Sequence, residues 1–512
     1  MIAAIFFGVL ALSVLVAFSA RRGMRKMSIG EYLVGGRSFA PWLLYFLAVG
    51  EVYSIGTMIG FPAGIYAGGA SYGVWFLGYI LLAYPLGYFV APLIWRAGVR
   101  YDAMTVPDVF GRHFRSRSLE LVTAGAVLVA LVPWGQYQFI GMQVVLGALG
   151  LPISPVQAVV LAGVISFLYL AVSGVRSPAF VAILKDVLMI VGIVVAGVVV
   201  VVAAGGTSQI FGSGSVPHAQ VTMGGSPMVF ALTTIVFQGV TFYLGFSATY
   251  IFTARSERAI KSSTVWMPVY MLVYPFLVAT AYFAFADGTR VKDPNTVFMA
   301  IVQDRLPDWL VGVVAAGAGL SGILVLAVTA LSIGGIVSRN LAPNVRPEAQ
   351  RRWTTAAVAV FLVAAAVLTL TASTLMLTVL NLTYYLLGQL IPGWIALMFF
   401  RRVRGWAVST GILGGVAVSI VLYATDPDLA GINAGLIAVL FNFALTFGLS
   451  RLRPGPSLTP IAAVDAGPGP EAGPGPEAGP APGSGPGSDA GSAPVRPVVA
   501  GREEDGSTAS VG

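Results

Sequence analysis

The stretch PWLLYFLAVGEVYSIGTMIGFPAGIY, residues 41–66, decides the reading of this chain. It is apolar enough to lie in a bilayer, yet it carries the carboxylate of Glu51 together with Gly50, Gly56, Gly60, Pro62 and Gly64. Glu51 follows Pro41 by ten residues, which on a helix is ~15 Å, near the middle of a hydrocarbon core ~30 Å thick. A charge at that depth is tolerated where it faces a polar cavity, meets a cation or is protonated. Backbone loosened by glycine at the same depth persists only where it is buried in protein or lines a cavity. Together the two features point to a solute or ion path. The competing reading is a structural role, with a protonated Glu51 hydrogen-bonded to a neighbouring helix.

Composition agrees. Of 512 residues, 57% are hydrophobic and 10% charged, where soluble domains carry about 25% charged residues. The chain therefore reads as an all-α polytopic membrane protein. Its formal charge of +8 sits in short loops between apolar runs, which suits topology better than a nucleic-acid surface. Cysteine is absent, which excludes disulfides, thiolate metal sites and cysteine nucleophiles. The two histidines, His113 and His218, fall in expected loops, so neither a cofactor nor a transition-metal site is expected.

Thirteen apolar runs can cross: 1–20, 40–66, 71–95, 119–149, 153–173, 178–204, 228–253, 264–286, 309–338, 354–371, 374–400, 406–424 and 430–450. Basic residues follow the first run (Arg21, Arg22, Arg25, Lys26) and none precede it, the reverse of a cleavable signal peptide. With the N-terminus outside, the cytoplasmic loops and the tail up to Arg453 hold twenty-three Lys or Arg. The outside loops hold three, Arg290, Lys292 and Arg305. That asymmetry implies a multi-pass protein of the cell membrane with a cytoplasmic C-terminus. From Pro454 the chain is rich in Pro, Gly, Ala and Ser, with AGPGPE at 466–471 repeated at 472–477. It is too poor in apolar side chains to fold and is expected to be disordered over 454–512.

Setting the first span aside (1–38 with its loop), the next ten divide into 39–204 and 228–400, separated by an outer loop at 205–227 and followed by two spans within 401–453. Five spans is an odd number, so the second set enters the membrane opposite to the first. Inverted repeats of this kind place solute and ion sites at discontinuous helices near the midplane. The span opening the second set carries Gln238-Gly239, Tyr243, Gly245, Ser247 and Thr249, so both sets begin with a glycine-interrupted, polar-seeded helix. Half-helix N-termini near 53–57 and 243–247 would present amides to an anion. Tyr53, Ser54, Thr57, Gln238, Tyr243 and Ser247 are the candidate solute contacts at the two breaks. In Pro133-Trp-Gly-Gln-Tyr-Gln138, Gln136 and Gln138 are further candidates; Gln136 shares a helix face with Gln143. Such amides can bind solute or tie helices together. Lys185-Asp186 reads either as a self-neutralising pair or as an ion-exit carboxylate.

These motifs resemble the sodium:solute symporter family over about residues 30–350. The resemblance rests on Tyr32-Leu-Val-Gly-Gly-Arg-Ser-Phe39, Thr105-Val-Pro-Asp-Val-Phe-Gly-Arg-His-Phe114, Ser173-Gly-Val-Arg-Ser-Pro178 and Leu184-Lys-Asp-Val187, in that order. It implies a LeuT-type core of five-plus-five inverted helices, here with one extra N-terminal and two extra C-terminal helices. Gly50-Glu-Val-Tyr-Ser54, Pro133 to Gln143, Leu184-Lys-Asp-Val187 and Ser338-Arg-Asn340 look most like the bacterial monocarboxylate permease branch. That implies symport of a small organic acid with a monovalent cation. Gly245-Phe246 stands where that branch tends to have Pro-His, which puts the solute class in question. By the same resemblance, Leu324 and Val325 fall where a sodium-binding hydroxyl pair is usual, with Ser321 one turn earlier and Thr329 one turn later. Asp186 matches an acidic residue linked in the family to cation release.

The expected ion-coupling set is Gly50, Glu51, Tyr53, Asp186 and Ser321, with the ion either sodium or a proton; desolvation of a carboxyl favours its protonated form. A membrane-embedded enzyme lacks any supporting motif, with no His-Glu-x-x-His, paired intramembrane aspartates or cysteine. A transporter-fold sensor is compatible with these residues, as is a symporter for an amino acid, sugar or vitamin. The expected partners are the solute, the cation and the lipid bilayer, with no nucleic acid and no obligate protein partner.

Overall fold

The computed structural model describes residues 1–19, 29–172, 176–212, 214, 216–246, 248–343, 346–372, 374–453 and 455–464. Among them the regular structure is helical and no strand occurs; one isolated bridge joins Phe39 to Ala254. In chain order the main helices are α1 (Ile2–Ser19), α2 (Pro41–Val52), α3 (Ile55–Met58), α4 (Gly60–Gly68), α5 (Ala70–Arg100) and α6 (Val106–His113). They continue with α7 (Arg117–Gly147), α8 (Pro155–Val172), α9 (Arg176–Ala203), α10 (Ser226–Thr241), α11 (Glu257–Trp266) and α12 (Tyr274–Ala286). The last are α13 (Asp308–Ile336), α14 (Pro347–Thr371), α15 (Met376–Leu387), α16 (Ile391–Phe399), α17 (Gly405–Thr425) and α18 (Ala434–Leu452). Ten helical stretches among the described residues are long and apolar enough to cross a bilayer. The pair Pro41–Val52 and Ile55–Gly68, bent by 56°, makes an eleventh, while Ile2–Ala17 and Pro155–Phe167 are shorter apolar helices. Of the thirteen expected spans, length and composition among the described residues carry ten or eleven across a bilayer.

The first break falls where the glycines and Glu51 place it. Tyr53 (φ −90°, ψ 79°) and the extended Ser54 (φ −89°, ψ −173°) leave the helical region, and Ser54 Oγ accepts the Gly56 amide at 3.3 Å to cap α3. A side chain at Gly56 has no room: a Cβ there would lie 1.6 Å from Tyr137 Oη. Interrupting the helix frees the carbonyls of Gly50 and Tyr53 from intrahelical pairing, so something else must satisfy them. The second break is gentler. After α10, residues Phe242–Phe246 form a π-turn, a widened coil often found at functional sites, and a short helix resumes at Ala248–Ile251.

α13 is the most enclosed helix. It packs against α1, α7, α8, α9 and α14, and its run Ala315-Ala-Gly-Ala-Gly319 lets neighbours approach closely. α2 packs on α9 and α11, while α5 packs on α10. The chain leading into α2 is stitched to the chain leaving the second break. Phe39 N donates to Thr253 O at 3.1 Å, Arg255 N to Phe39 O at 3.3 Å, and Trp95 Nε1 to Ala254 O at 2.8 Å. Arg96 Nη2 donates to Glu257 Oε2 at 2.9 Å beside them.

The tail departs from expectation at its start. Leu458 N donates to Arg401 O at 2.8 Å, Gly455 N donates to Arg402 O at 3.2 Å, and Ile461 is buried. Residues 455–464 are therefore held against the helical body. Two apolar side chains and a few backbone hydrogen bonds suffice locally, where composition averaged over 454–512 hid them. The AGPGPE repeats and the remainder to 512 lie outside the described residues.

Candidate functional site

Two cavities meet at the first break. The central one, with about 440 Å3 of empty space, is lined by Glu51, Val52, Ser54, Thr57, Phe76, Tyr79, Trp134, Tyr137, Phe242, Tyr250, Leu380 and Tyr384. The second, about 750 Å3, runs from Glu51 and Trp134 to Leu33, Met104–Pro107 and Gly335–Ile336, on the side where the arginine-rich loops lie. Glu51 and Trp134 line both. Glu51 Oε2 is shielded from solvent and has no hydrogen-bond partner. No Lys, Arg or His lines the central cavity among the described residues, whose side-chain polar groups are hydroxyls, the Trp134 indole N–H and the Glu51 carboxyl. Trp134 and Tyr137 stack with ring centroids 5.4 Å apart, forming a flat aromatic wall opposite the break.

Behind the break lies a cation cluster. Lys185 Nζ, on α9, donates to Tyr53 O at 2.8 Å and to Gly50 O at 3.3 Å, and lies 2.6 Å from Asp186 Oδ1. Both side chains of the pair are buried. Ser321 Oγ donates to Tyr53 O at 3.4 Å and sits 3.0 Å from Met189 Sδ. Leu324 closes the same corner: a Cβ on Gly50 would come 3.3 Å from Leu324 Cδ2 and 2.9 Å from Ala182 Cβ. The carbonyls freed by the break are thus taken by an ammonium group.

The expected site residues separate into groups. Gly50, Tyr53, Asp186 and Ser321 converge on Lys185, while Glu51 faces the cavities instead. Ser54 and Thr57 line the central cavity. The Tyr53 side chain is buried away from it, stacked on Tyr270 at 4.1 Å and hydrogen-bonded to the Tyr84 hydroxyl. Gln136 turns away, donating to Leu368 O of α14 at 3.3 Å. Gln238 donates to Asn381 Oδ1 at 2.6 Å and ties α10 to α15. Gln138 is fully buried, its amide without a partner and outside both cavities. Tyr243 packs over Gly87, its hydroxyl 3.9 Å from Met267 Sδ. Ser247 lies outside the described residues. Sequence reasoning missed the aromatic wall because it selected amides in the 133–138 motif; Trp134 and Tyr137, three apart, share the face that looks into the cavity.

Two motifs far apart in the chain meet at the arginine-rich side. Asp108 Oδ1 accepts Asn340 Nδ2 and Asp108 Oδ2 accepts Arg339 Nε, both at 2.8 Å. Asn340 Nδ2 also reaches Glu120 Oε1 at 2.8 Å, and Thr105 Oγ1 donates to Asn340 Oδ1 at 2.8 Å. This network pins α6 to the start of α7 and to the turn that follows α13, and its Thr105 lines the larger cavity. It gives the 105–114 and 338–340 motifs a shared structural role.

A sequence model of the sodium:solute symporter family matches residues 32–416, most of the chain. The chain belongs to the sodium:solute symporter family. Members of this family are transporters, not enzymes. This symporter-family chain is 27% identical to a monocarboxylate transport permease protein of Rhizobium johnstonii over 341 residues, 65% of this chain and 69% of that one. It is 24% identical to the symporter YhjB of Bacillus subtilis over 484 residues, covering 88% and 96% of the two chains. The sodium/pantothenate symporter of Escherichia coli is 31% identical over 202 residues, 36% of this chain and 39% of that one. A Na+-coupled sialic acid symporter, solved in a substrate-bound outward-open state, superposes with a TM-score of 0.74 at 14% identity, covering 90% of this chain and 99% of that one. At that identity the likeness establishes a shared fold.

Proposed function

We propose that this family member takes up a small monocarboxylate together with a monovalent cation, by alternating access of the central cavity through a five-plus-five inverted core. The observation that carries the reading is the partner-free Oε2 of Glu51 at the boundary of the two cavities. A carboxylate solute held by the hydroxyls of Ser54, Thr57, Tyr137 or Tyr384 would share a low-dielectric cavity with Glu51. Two unpaired carboxylates there repel strongly, so solute and a neutralising proton or cation enter together. Glu51 is the group through which that neutralisation acts. The aromatic wall suits the short apolar body of such a solute, and the resemblance to a monocarboxylate permease supports the same class. The positive-inside asymmetry supports an outside N-terminus and cytoplasmic 401–405 and 451–453 segments, with the larger cavity opening inward.

The test is uptake of labelled lactate, pyruvate and acetate into proteoliposomes, with sodium and pH gradients imposed separately. Concentrative uptake of at least one of them is expected. Binding of these acids without accumulation under either gradient would favour a transporter-fold sensor. Accumulation of pantothenate, an amino acid or a sugar instead would replace the solute class while leaving symport in place.

A further inference from the structure

The cation cluster behind the break is not used by the solute cavity, and its geometry assigns it a role. Breaking α2 exposes two carbonyls, Gly50 O and Tyr53 O, in a corner closed by Leu324, Ala182 and Ser321. Carbonyl oxygens set loose in this way at a discontinuous helix form a cation site. Here Lys185 Nζ already stands in it, 2.8 and 3.3 Å from the two carbonyls and 2.6 Å from Asp186 Oδ1. An ammonium offers three donors; two are given to these carbonyls, and the Asp186 carboxylate neutralises the charge as an ion pair. A metal ion ligated by the same carbonyls would sit within van der Waals contact of a like charge, in a site that excludes water. The pair is more than self-neutralising, because Lys185 reaches across to another helix 132 and 135 residues away in sequence.

The geometry points to Lys185 as a tethered cation that takes the place of sodium at the helix break, with the proton on Nζ as the ion exchanged during transport. The inference rests on the symport reading above. In the occupied state the N–H groups clamp α2 to α9. Loss of a proton breaks one N–H bond, passes H+ first to the Asp186 carboxylate 2.6 Å away and from there to water as the site opens, and leaves a neutral amine that holds the carbonyls weakly. α2 and α3 are then free to hinge. Reprotonation from the opposite side restores the clamp, while Glu51 couples that cycle to the solute in the cavity.

The groups facing this ammonium are few. Asp186 lies on its own helix, and α2 contributes Tyr45 and Tyr53, Tyr45 within electrostatic reach of Asp186. Glu51 is on the same turn of α2 but lines the cavities. Tyr270 and Tyr274 come from the 267–273 turn and α12. α13 presents Ser321, with Asp308 at its far start, and α1 carries no ionisable side chain. Asp304 and Arg305 of the 297–305 helix pair with each other. Among the described residues Asp186 is therefore the one carboxylate in contact with Lys185, and it holds the charge balance.

Radioactive sodium binding to the purified, full-length protein at pH 7 tests this without any solute. Wild type is expected to show no saturable sodium binding. Lys185→Ala, which uncovers two carbonyls, Ser321 and the Asp186 carboxylate, is expected to bind sodium at least tenfold above the wild-type background. Lys185→Gln, keeping an amide donor to the carbonyls, serves where the alanine variant does not purify as a single species, and is expected to lose proton-driven accumulation while still exchanging solute. Saturable sodium binding by wild type, none by folded Lys185→Ala, or wild-type proton-driven accumulation by Lys185→Gln overturns the assignment. Failure of lactate, pyruvate and acetate to be transported at all would refute the solute class and leave the sodium result standing.

Discussion

Gly56→Ala probes the contact on which the solute cavity depends. The new Cβ would lie 1.6 Å from Tyr137 Oη, 2.1 Å from Cζ and 2.5 Å from Cε1. Restoring a normal carbon contact requires the ring to retreat by about 2 Å. Trp134 is stacked on one side of it, and the open direction is the cavity that Tyr137 lines. The displaced ring therefore occupies solute space, and the strain that remains costs about 1–3 kcal/mol. A displacement larger than 1 Å in a site of this kind lowers productive binding roughly a hundredfold, equivalent to about 2.7 kcal/mol. The assay is a binding isotherm on detergent-purified protein beside its thermal midpoint. Gly56→Ala is expected to lose solute binding while its midpoint falls by only a few degrees. Adding Tyr137→Ala, which removes the obstructing ring, should make the Gly56→Ala change nearly neutral for stability. Wild-type solute affinity in the single variant would refute the placement of Tyr137 against the break.

Three further outcomes follow from the arginine-rich side. Asp108→Ala leaves Arg339 without its buried acceptor and takes one of two from Asn340, and should cost about 3–5 kcal/mol, read as a large fall in thermal midpoint; a midpoint within one degree of wild type contradicts the network. His113 is buried, and burial, with Arg100 adding to it, pushes its imidazole down to about 4 from 6.5. The folded state therefore resists protonation, so the stability it contributes is full above pH 6.5 and is lost as pH falls from 6.5 to 4, by about 2–3 kcal/mol. His113→Phe should flatten that part of the pH–stability curve, and an unchanged slope would refute the cause. Truncation after residue 464 should leave uptake unchanged, whereas truncation after 454 removes Leu458 and Ile461 from their contacts and should lower both yield and thermal midpoint.

How far the sequence carries the account can be seen residue by residue. The first break was legible because glycine, proline and a carboxylate coincide within one apolar run, and each is costly there without a cavity. A second interruption was legible through Gly245 for similar reasons, whereas its form as a π-turn was not. The grip of Lys185 on Gly50 and Tyr53 was not, because pattern reading sees neighbours on one helix and this contact joins two helices far apart in the chain. The pairing with Asp186, adjacent in sequence, suggested a closed local pair and concealed the longer reach. The place of Gln136 was hidden for a related reason. Spacing defined a helix face shared with Gln143, but which neighbour that face meets is set by packing, and α14 lies there. The aromatic residues of the cavity come from α5, α7, α15 and the second break, and no local signal separates them from ordinary core. The hold on residues 455–464 depends on the 401–402 backbone, again a partner that composition does not reveal.

The central claim is that Glu51, at the junction of the two cavities, couples ion to solute. Glu51→Gln removes its charge and its titration with almost no change in shape. In proteoliposomes, the variant is expected to exchange external labelled solute for internal unlabelled solute, while failing to accumulate it under either a pH or a sodium gradient. Accumulation by Glu51→Gln to the wild-type level would contradict the account and return Glu51 to a structural role.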